Sequence, residues 1–291
     1  MSQWTTKNMP DQHGRLAVVT GTGGLGYEDA LALARAGTEA VTKIRAQTPA
    51  ATVRFEQLDL ANLASIQAFG QRMQAEHRRL DLLINNAAVM TPPNRQLTSD
   101  GFELQFGTNY LGHFALTAHL LPLLRNGRSP RVVNVASVAV RSGAINVEDL
   151  QSEQSYAPMV AYAQSKLANL MFSFELQRRS AAAKWGISSI AVHPGISRTD
   201  LIPNGAGRTS LSGLIRSWLW FLFQPAAQGA LPTLFAATSP DAKAGAYYGP
   251  HRLNETRGFP ALAKVPPQAN DADVAARLWQ LSERLTNLSF S

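Results

Sequence analysis

The amino-acid sequence predicts an α/β fold, with a doubly wound parallel sheet in a single domain that spans residues 1–291. Short aliphatic and β-branched runs alternate with longer helical patterns as far as about residue 195, which is the signature of successive βαβ units. The central strands are apolar along their whole length, as expected for a sheet that helices cover on both faces. Hydrophobic residues make up 45% of the chain, which is enough for one large core.

The individual elements follow from these periodicities. Strands are predicted at Leu16–Thr20, Val53–Leu58, Leu80–Asn85, Arg131–Ala136 and Ser188–His193. Helices are predicted at Leu25–Ala36, Leu63–His77, Gly101–Leu124 and Met159–Ala182. Residues 197–213 and 254–270 are rich in Gly, Pro, Ser and Asn and are therefore expected to be loops. Apolar residues recur at helical spacing from Asp271 to Leu288, which predicts a final amphipathic helix.

Composition and charge exclude several kinds of protein. The chain has no cysteine, so it has no disulfide and no cysteine zinc site, and we predict no metal site. The polar stretch Met1–Gly14 has no secretory pattern, and a cytoplasmic location is the expectation. The net charge is +7, but no run reaches the roughly five or six like charges of a nucleic-acid arm. The apolar stretch Leu214–Phe223 is too short to span a bilayer.

A glycine-rich turn follows the first predicted strand. The sequence Gly21-Thr22-Gly23-Gly24-Leu25-Gly26 matches G-x-G-x-x-G in the context of a strand, a tight turn and a helix start. Glycines there let the backbone approach a pyrophosphate, and the free N–H groups of the helix N-terminus hold its charge. An ordinary glycine-rich turn is the alternative. The motif favours a Rossmann-type dinucleotide site.

Tyr162 and Lys166 form a second motif with chemical meaning. Four residues apart on a helix, the phenol and the ammonium lie on one face. At that distance the cation is expected to favour phenolate and to lower the pKa of the tyrosine from about 10. Such a group can donate and accept a proton in carbonyl and alcohol chemistry. The spacing also occurs by chance, so its weight depends on the surrounding motifs.

Taken with Asn85-Asn86-Ala87-Ala88, Asn109 and Ser137, these two motifs resemble the short-chain dehydrogenase/reductase family. The five motifs fall in the family's order, and the resemblance covers roughly Arg15 to Gly249. The 25-residue separation between Ser137 and Tyr162 resembles the retinol dehydrogenase and protochlorophyllide reductase-like branch. Residues 144–157 would then form an insertion beside the active site.

The resemblance implies an oxidoreductase that moves a hydride between a nicotinamide dinucleotide and a carbonyl/alcohol pair. Tyr162 would pass the proton, and Lys166 would lower its pKa and bind the nicotinamide ribose. Ser137 would hold the substrate oxygen, and Asn109 would position a water in a proton relay. The plain alternatives are a strand-end hydroxyl for Ser137 and an ordinary helix residue for Asn109.

The resemblance also implies a set of dinucleotide contacts. Asp59 matches the position that meets adenine, although a helix N-cap is a compatible reading. Pro194-Gly195-Ile196 and Thr199 match the loop that receives the nicotinamide carboxamide, with a plain turn as the alternative. The full predicted set is Gly21, Gly23, Gly24, Leu25, Gly26, Asp59, Leu60, Asn86, Ala87, Tyr162, Lys166, Pro194, Gly195, Ile196 and Thr199.

Two features depart from the family pattern. The glycine turn is one residue shorter than usual, and the segment Gly37–Thr52 is too short for a second strand, a turn and a helix. In one reading Thr38–Arg45 is the helix and the second strand is missing, which would damage the adenosine site. In the other, Ala40–Ile44 is the second strand, and Arg45 at its end grips a 2′-phosphate. NADP is favoured over NAD because the branch mostly uses NADP and the chain is positively charged.

The substrate side is predicted to lie in residues 197–224 and 144–157. The first of these segments contains an almost wholly apolar stretch, Leu214–Phe223, which suggests a lid over an apolar pocket. A buried core helix or a membrane or partner contact are the alternatives. We therefore expect a small apolar carbonyl or alcohol substrate and, from the resemblance, a homodimer or homotetramer. The rival function is a catalytically impaired family member that acts as a binding or regulatory protein.

Overall fold

The computed structural model describes residues 3–21, 45–46, 48, 52–196 and 224–290. Within them a six-stranded sheet has the order β1-β2-β3-β4-β5-β6. Strands β1 to β5 run parallel to one another, and β6 is antiparallel to β5. The strands are β1 Ala17–Val19, β2 Leu82–Asn85, β3 Arg131–Val135, β4 Ser188–Val192, β5 Tyr247–Arg252 and β6 Arg257–Leu262.

The described helices are α1 Leu63–Glu76, α2 Gly112–Arg125, α3 Pro158–Ala183, α4 Ala226–Gly229, α5 Leu231–Thr238 and α6 Ala272–Thr286. A π-helical turn, Phe106–Leu111, leads directly into α2. Side-chain caps fix two of the starts: Asn62 accepts from the backbone N–H of Ser65 at α1, and Asp271 accepts from two N–H groups at α6.

Two apolar layers hold the helices on opposite faces of the sheet. On one face, Leu83, Val132 and Ala191 belong to the large core that includes residues of α1, α2, α3 and α6. On the other, neighbouring strand residues such as Ile84 and Val133 pack with Ala236 and Ala237 of α5. Because successive strand residues point to opposite faces, strands covered on both sides must be apolar throughout. The predicted α/β class with a mainly parallel sheet in one domain is confirmed.

Two of the predicted elements are wrong. Val53–Leu58 was expected to be a strand but has no ladder partner, since β1 pairs only with β2 within the described residues. Residues 254–270 were expected to be a loop but contain β6. This strand tolerates Gly258 and Pro260 because it lies at the edge of the sheet.

The remaining predicted elements are confirmed with shifted ends or lie outside the described residues. The helix predicted from Gly101 begins at Leu104, because Gly101 has a φ of +84° and the Glu103 carboxylate caps the first turn by accepting from Gln105 and Phe106. Residues 22–44 lie outside the described residues. They include the predicted helix Leu25–Ala36 and about half of the segment Gly37–Thr52, for which the sequence allowed either a helix or a second strand. Arg45, which one reading placed at the end of a strand, is helical, and its guanidinium donates to the Val53 carbonyl over 2.9 Å.

Candidate active site

The site lies at the carboxyl ends of the parallel strands, where ligands of such sheets bind. Gly21 lies two residues beyond β1, and Asn86 and Ala87 follow β2. Ser137 lies two residues beyond β3, and the Pro194–Ile196 loop follows β4. The fold therefore brings to one edge residues that the sequence separates by more than a hundred positions.

Tyr162 and Lys166 lie on α3 with both side chains buried, at 4% and 3% exposure. The Lys166 ammonium donates to the Val135 carbonyl over 3.0 Å and lies 6.0 Å from the centroid of the Tyr162 ring. Burial raises the pKa of Tyr162 to about 12, although a hydrogen bond with Ser137 lowers it. Burial also lowers the pKa of Lys166 to about 7. The prediction of a lowered tyrosine pKa is wrong, because desolvation of the buried phenol raises its pKa more than the neighbouring Ser137 hydroxyl lowers it.

Ser137 lies in the turn that follows β3. Its hydroxyl oxygen caps the 3₁₀ turn Val138–Ser142 by accepting from the backbone N–H of Ala139 over 3.2 Å. The same hydroxyl lies close enough to the Tyr162 phenol to lower the pKa of that phenol. The turn after β3 thus fixes the serine beside the tyrosine, and its predicted contact with the substrate oxygen stays a prediction.

Asn109 lies in the π-helical turn, a local geometry that recurs at functional sites. Its amide oxygen accepts from the Val89 N–H over 2.8 Å, and its amide nitrogen donates to the Val89 carbonyl over 2.9 Å and to the Ser165 hydroxyl over 3.0 Å. The side chain therefore holds the backbone of the loop that follows β2. That loop presents Met90, which packs against Tyr162 and Ala139.

His113 is a site residue that sequence reasoning missed. Its Nδ1 lies 2.9 Å from the Asn109 carbonyl, which can only accept, so Nδ1 carries the proton. Burial lowers the pKa of His113 to about 4, so the ring is neutral and Nε2 accepts from the Thr20 hydroxyl, 2.9 Å away. The Thr20 oxygen in turn accepts from the N–H groups of Asn86 and Ala87. The four-residue spacing of Asn109 and His113 was the available signal.

Two glycines, Gly21 and Gly195, show whether the predicted site leaves room for a dinucleotide close to the backbone. Gly21 has a φ of +90°, and a Cβ there would lie 3.1 Å from the Asn86 amide nitrogen. Gly195 has a φ of +67°, and a Cβ there would lie 2.3 Å from the Thr256 carbonyl oxygen. Both positions therefore require glycine, and both lie beyond the carboxyl ends of parallel strands, where ligands of such sheets bind. Together with the buried Tyr162 and Lys166, these glycines fit a nicotinamide dinucleotide.

Asp59 and Leu60 come directly before α1. The Asp59 carboxylate is exposed and accepts from the Ala61 N–H over 2.9 Å. The N-cap of α1 is Asn62, so the N-cap reading of Asp59 is wrong, because the helix starts three residues later than that reading requires. Leu60 is buried, and its carbonyl lies against Gly112.

Five predicted contacts lie outside the described residues, namely Gly23, Gly24, Leu25, Gly26 and Thr199. The predicted lid at 197–224 also lies outside them, apart from its last residue. Residues 144–157 are described and are tied to α3, since the Gln164 side chain accepts from the Asn146 N–H and donates to the Leu150 carbonyl. No group of three or more metal-ligating side chains occurs in the part of the chain that the structure describes. Over the same residues, no helix has the length and apolar character of a membrane span.

A parallel α/β sheet, a glycine turn after its first strand and a buried Tyr–Lys pair beside a strand-end serine define an oxidoreductase that uses a nicotinamide dinucleotide. The family model described as short chain dehydrogenase matches residues 15–206. The chain belongs to the short-chain dehydrogenase family and is an NAD(P)-dependent oxidoreductase.

Relatives place the chain within the family. Retinol dehydrogenase 13 from Mus musculus is 37% identical, over 96% of this chain and 85% of the relative. Polyprenol dehydrogenase from Homo sapiens is 40% identical, over 80% of this chain and 75% of the relative. The crystal structure of an uncharacterised protein from Mycobacterium paratuberculosis is 38% identical over the whole of both chains, with a TM-score of 0.81. The retinol dehydrogenase-like branch is confirmed.

Proposed function

We propose that the protein transfers a hydride between NADP(H) and an apolar carbonyl/alcohol pair, with Tyr162 as the general acid and base. The observation that supports this most is the buried Tyr162 phenol, which lies beside the Ser137 hydroxyl and on the same face of α3 as Lys166. The bound dinucleotide supplies the hydride to the carbonyl carbon in reduction and accepts it in oxidation.

The proton chemistry follows from the two perturbed side chains. With a pKa of about 12, the Tyr162 phenol holds its proton at neutral pH, which is the state needed to donate it to a substrate oxygen. Donation leaves a phenolate, and a phenolate favours the ammonium form of Lys166 on the same helix face. The Lys166 amine, with a pKa of about 7, changes charge near neutral pH. In the alcohol-to-carbonyl direction the phenolate takes the proton back, and the same charges act in reverse.

Ser137 and the apolar residues around Tyr162 define the substrate side. The Ser137 hydroxyl, which its turn holds in position, would donate a hydrogen bond to the same substrate oxygen. Met90 and Ala139 pack against Tyr162 and form an apolar wall. Met159, about one turn before Tyr162 on α3, is 47% exposed. An extended apolar molecule fits these surroundings better than a polar one, and the named substrates of the two relatives, retinol and polyprenol, have that character.

Substrate reduction tests the proposal. Purified protein is incubated with NADPH and either retinal or acetaldehyde, which share an aldehyde group but differ in apolar bulk, and the loss of NADPH absorbance is followed. We expect turnover with retinal and much less with acetaldehyde. The Tyr248→Phe variant, which removes a phenol on the opposite face of the sheet, is the matched control for Tyr162→Phe and is expected to stay active. Turnover by the Tyr162→Phe variant at the wild-type rate would contradict the proposal.

Dinucleotide titration tests the choice of cofactor and the rival function. The fluorescence of NADPH and NADH is followed as protein is added, and we expect tighter binding of NADPH because the chain carries a net charge of +7. Equal affinity would remove the preference for NADP. A failure to bind either nucleotide at millimolar concentration would favour the impaired family member that only binds or regulates.

A further inference from the structure

The tip of the β5–β6 hairpin carries an unusual backbone. Leu253, Asn254 and Glu255 have φ values of 48°, 52° and 64°, so three successive residues other than glycine lie in the left-handed region. Such a run is unfavourable on its own and persists where contacts outside the turn fix it. The contacts made by Glu255 and Thr256 therefore indicate which neighbouring segments fix the turn.

Thr256 joins the hairpin to the loop that follows β4. Its carbonyl accepts from the Ile196 N–H over 2.8 Å. The same carbonyl lies so close to Gly195 that a Cβ there would be 2.3 Å from the oxygen. The hairpin tip is therefore the support against which the Pro194–Ile196 loop is packed.

Glu255 makes three polar contacts from a side chain that is only 12% exposed. One carboxylate oxygen accepts from Arg141 over 2.7 Å and lies 3.2 Å from the Nε2 of His193. The other accepts from the backbone N–H of Lys264 over 2.9 Å. Burial raises the pKa of Glu255, but these hydrogen bonds outweigh it and hold the pKa at about 2. The group is a carboxylate at any working pH.

His193 connects Glu255 to the Pro194–Ile196 loop through two hydrogen bonds of its ring. The Gly195 N–H donates to Nδ1 over 3.2 Å, so Nδ1 has no proton, and Nε2 carries the proton that is donated to Glu255. The ring is 1% exposed, and a Cβ on Gly249 would lie 2.0 Å from Nε2. The carboxylate thus selects the tautomer that allows His193 to hold Gly195.

Arg141 connects Glu255 to the turn that contains Ser137. It lies four residues after Ser137, in the turn that Ser137 caps, and also donates to the Asn254 carbonyl over 3.1 Å. Tyr247 of β5 reinforces this connection, since its hydroxyl donates to the Ser137 carbonyl over 3.4 Å. One carboxylate therefore links the turn that holds the substrate-side serine to the loop assigned to the nicotinamide.

We propose that Glu255 is a positioning residue which, through His193 and Arg141, fixes the Pro194–Ile196 loop relative to Ser137 and so places the nicotinamide beside the substrate. This inference rests on the proposed function, because it concerns the nicotinamide end of the same dinucleotide. If Glu255 has this positioning role, its loss must weaken the binding of the nicotinamide half of the cofactor and leave the binding of the adenosine half unaffected.

The experiment compares two ligands by calorimetric titration: NADP⁺, and 2′-phospho-ADP-ribose, which lacks only the nicotinamide base. For Glu255→Ala we expect the affinity for NADP⁺ to fall by about tenfold, the size typical of losing a residue that orients a binding group, with about twofold change or less for 2′-phospho-ADP-ribose. Glu255→Gln keeps an acceptor for His193 but loses the charge facing Arg141, and it should fall between. Glu76→Ala removes a carboxylate from an exposed pair with Arg54 and is the matched control, with no effect on either ligand.

Arg141→Ala is a second variant that keeps the test decisive if Glu255→Ala does not fold, since the Arg141 side chain is 33% exposed. It should show the same selective loss for NADP⁺. An equal loss for both ligands in the folded variants, or no loss for either, would overturn the positioning role and leave the proposed function standing. Failure of the wild-type protein to bind either ligand would overturn both.

Discussion

Replacing Lys166 by Met should stabilise the protein while removing its activity. A fall in the pKa of Lys166 from 10.5 to about 7 corresponds to about 5 kcal/mol of unfavourable free energy for burying the ammonium. At pH 7, where the folded amine is about half protonated, about 4 kcal/mol of this cost remains. The variant leaves the Val135 carbonyl without its donor, which costs about 1–3 kcal/mol. We expect a net gain in unfolding free energy of about 2 kcal/mol.

The pH dependence of this gain is the sharper test. The folded pKa lies below the unfolded one, so the unfolded state binds more protons between about pH 7 and pH 10.5 and the wild-type protein becomes more stable as the pH rises through that window. The Lys166→Met variant has no lysine at this position and does not gain stability in this way as the pH rises. Its advantage should therefore shrink by about 2 kcal/mol from pH 7 to pH 9.

Urea denaturation followed by circular dichroism, with wild type and variant at both pH values, measures the two differences. All other titrating groups are common to the two proteins and cancel in the comparison. A difference in stability that stays constant between the two pH values would refute the depressed pKa of Lys166. A variant less stable than wild type at both pH values would refute the calculated cost of burying the charge.

Three further substitutions test separate parts of the structure. Ser137→Ala should lower kcat by about 10²–10³-fold, with a much smaller effect on dinucleotide affinity, because the lost hydroxyl acts on the substrate oxygen; steady-state kinetics and a binding titration check this, and an unchanged kcat would contradict it. Gly249→Ala should destabilise the protein by about 1–3 kcal/mol, since the added methyl collides with His193, and urea denaturation would expose an error if stability were unchanged. Asn62→Ala should cost about 1 kcal/mol through loss of the cap on α1, and no measurable change by thermal denaturation would rule the cap out.

The positions of Tyr162, Lys166 and Ser137 in the fold could be predicted because local rules determine them. The Tyr162–Lys166 spacing required only a helix, and the helix is present as α3. Ser137 required only a strand that ends before it, and β3 ends two residues earlier. Residues whose role depends on the end of a predicted strand or the face of a predicted helix can be assigned from sequence, since periodicity determines both.

The errors share one cause, which is that they depend on partners distant in the chain. Val53–Leu58 has the residues of a strand but pairs with no neighbour in the described sheet. β6 looks like a loop because of Gly258 and Pro260, and it forms because β5 offers it an antiparallel edge. The pKa of Tyr162 was predicted from the nearby lysine alone, whereas burial by the surrounding fold decides its direction.

For the same reason Glu255 could not have been recognised from the sequence, and the sequence contained only one part of the signal for His113. Glu255 is separated from Arg141 by more than a hundred residues, and neither carries a motif. His113 is four residues from Asn109, but its role depends on Thr20 at the far end of the network. Hydrogen-bond partners that fix a tautomer become visible only when both ends of the contact are located.

The most direct test of hydride transfer with Tyr162 as proton donor is isotope transfer. The protein is incubated with retinal and NADPH carrying deuterium at both C4 positions of the nicotinamide, and the product is examined by mass spectrometry. We predict retinol with one deuterium on its carbinol carbon from the wild-type protein, and no product above background from Tyr162→Phe, although that variant still binds NADPH. Retinol without deuterium, or deuterated retinol formed equally well by the variant, would contradict the mechanism.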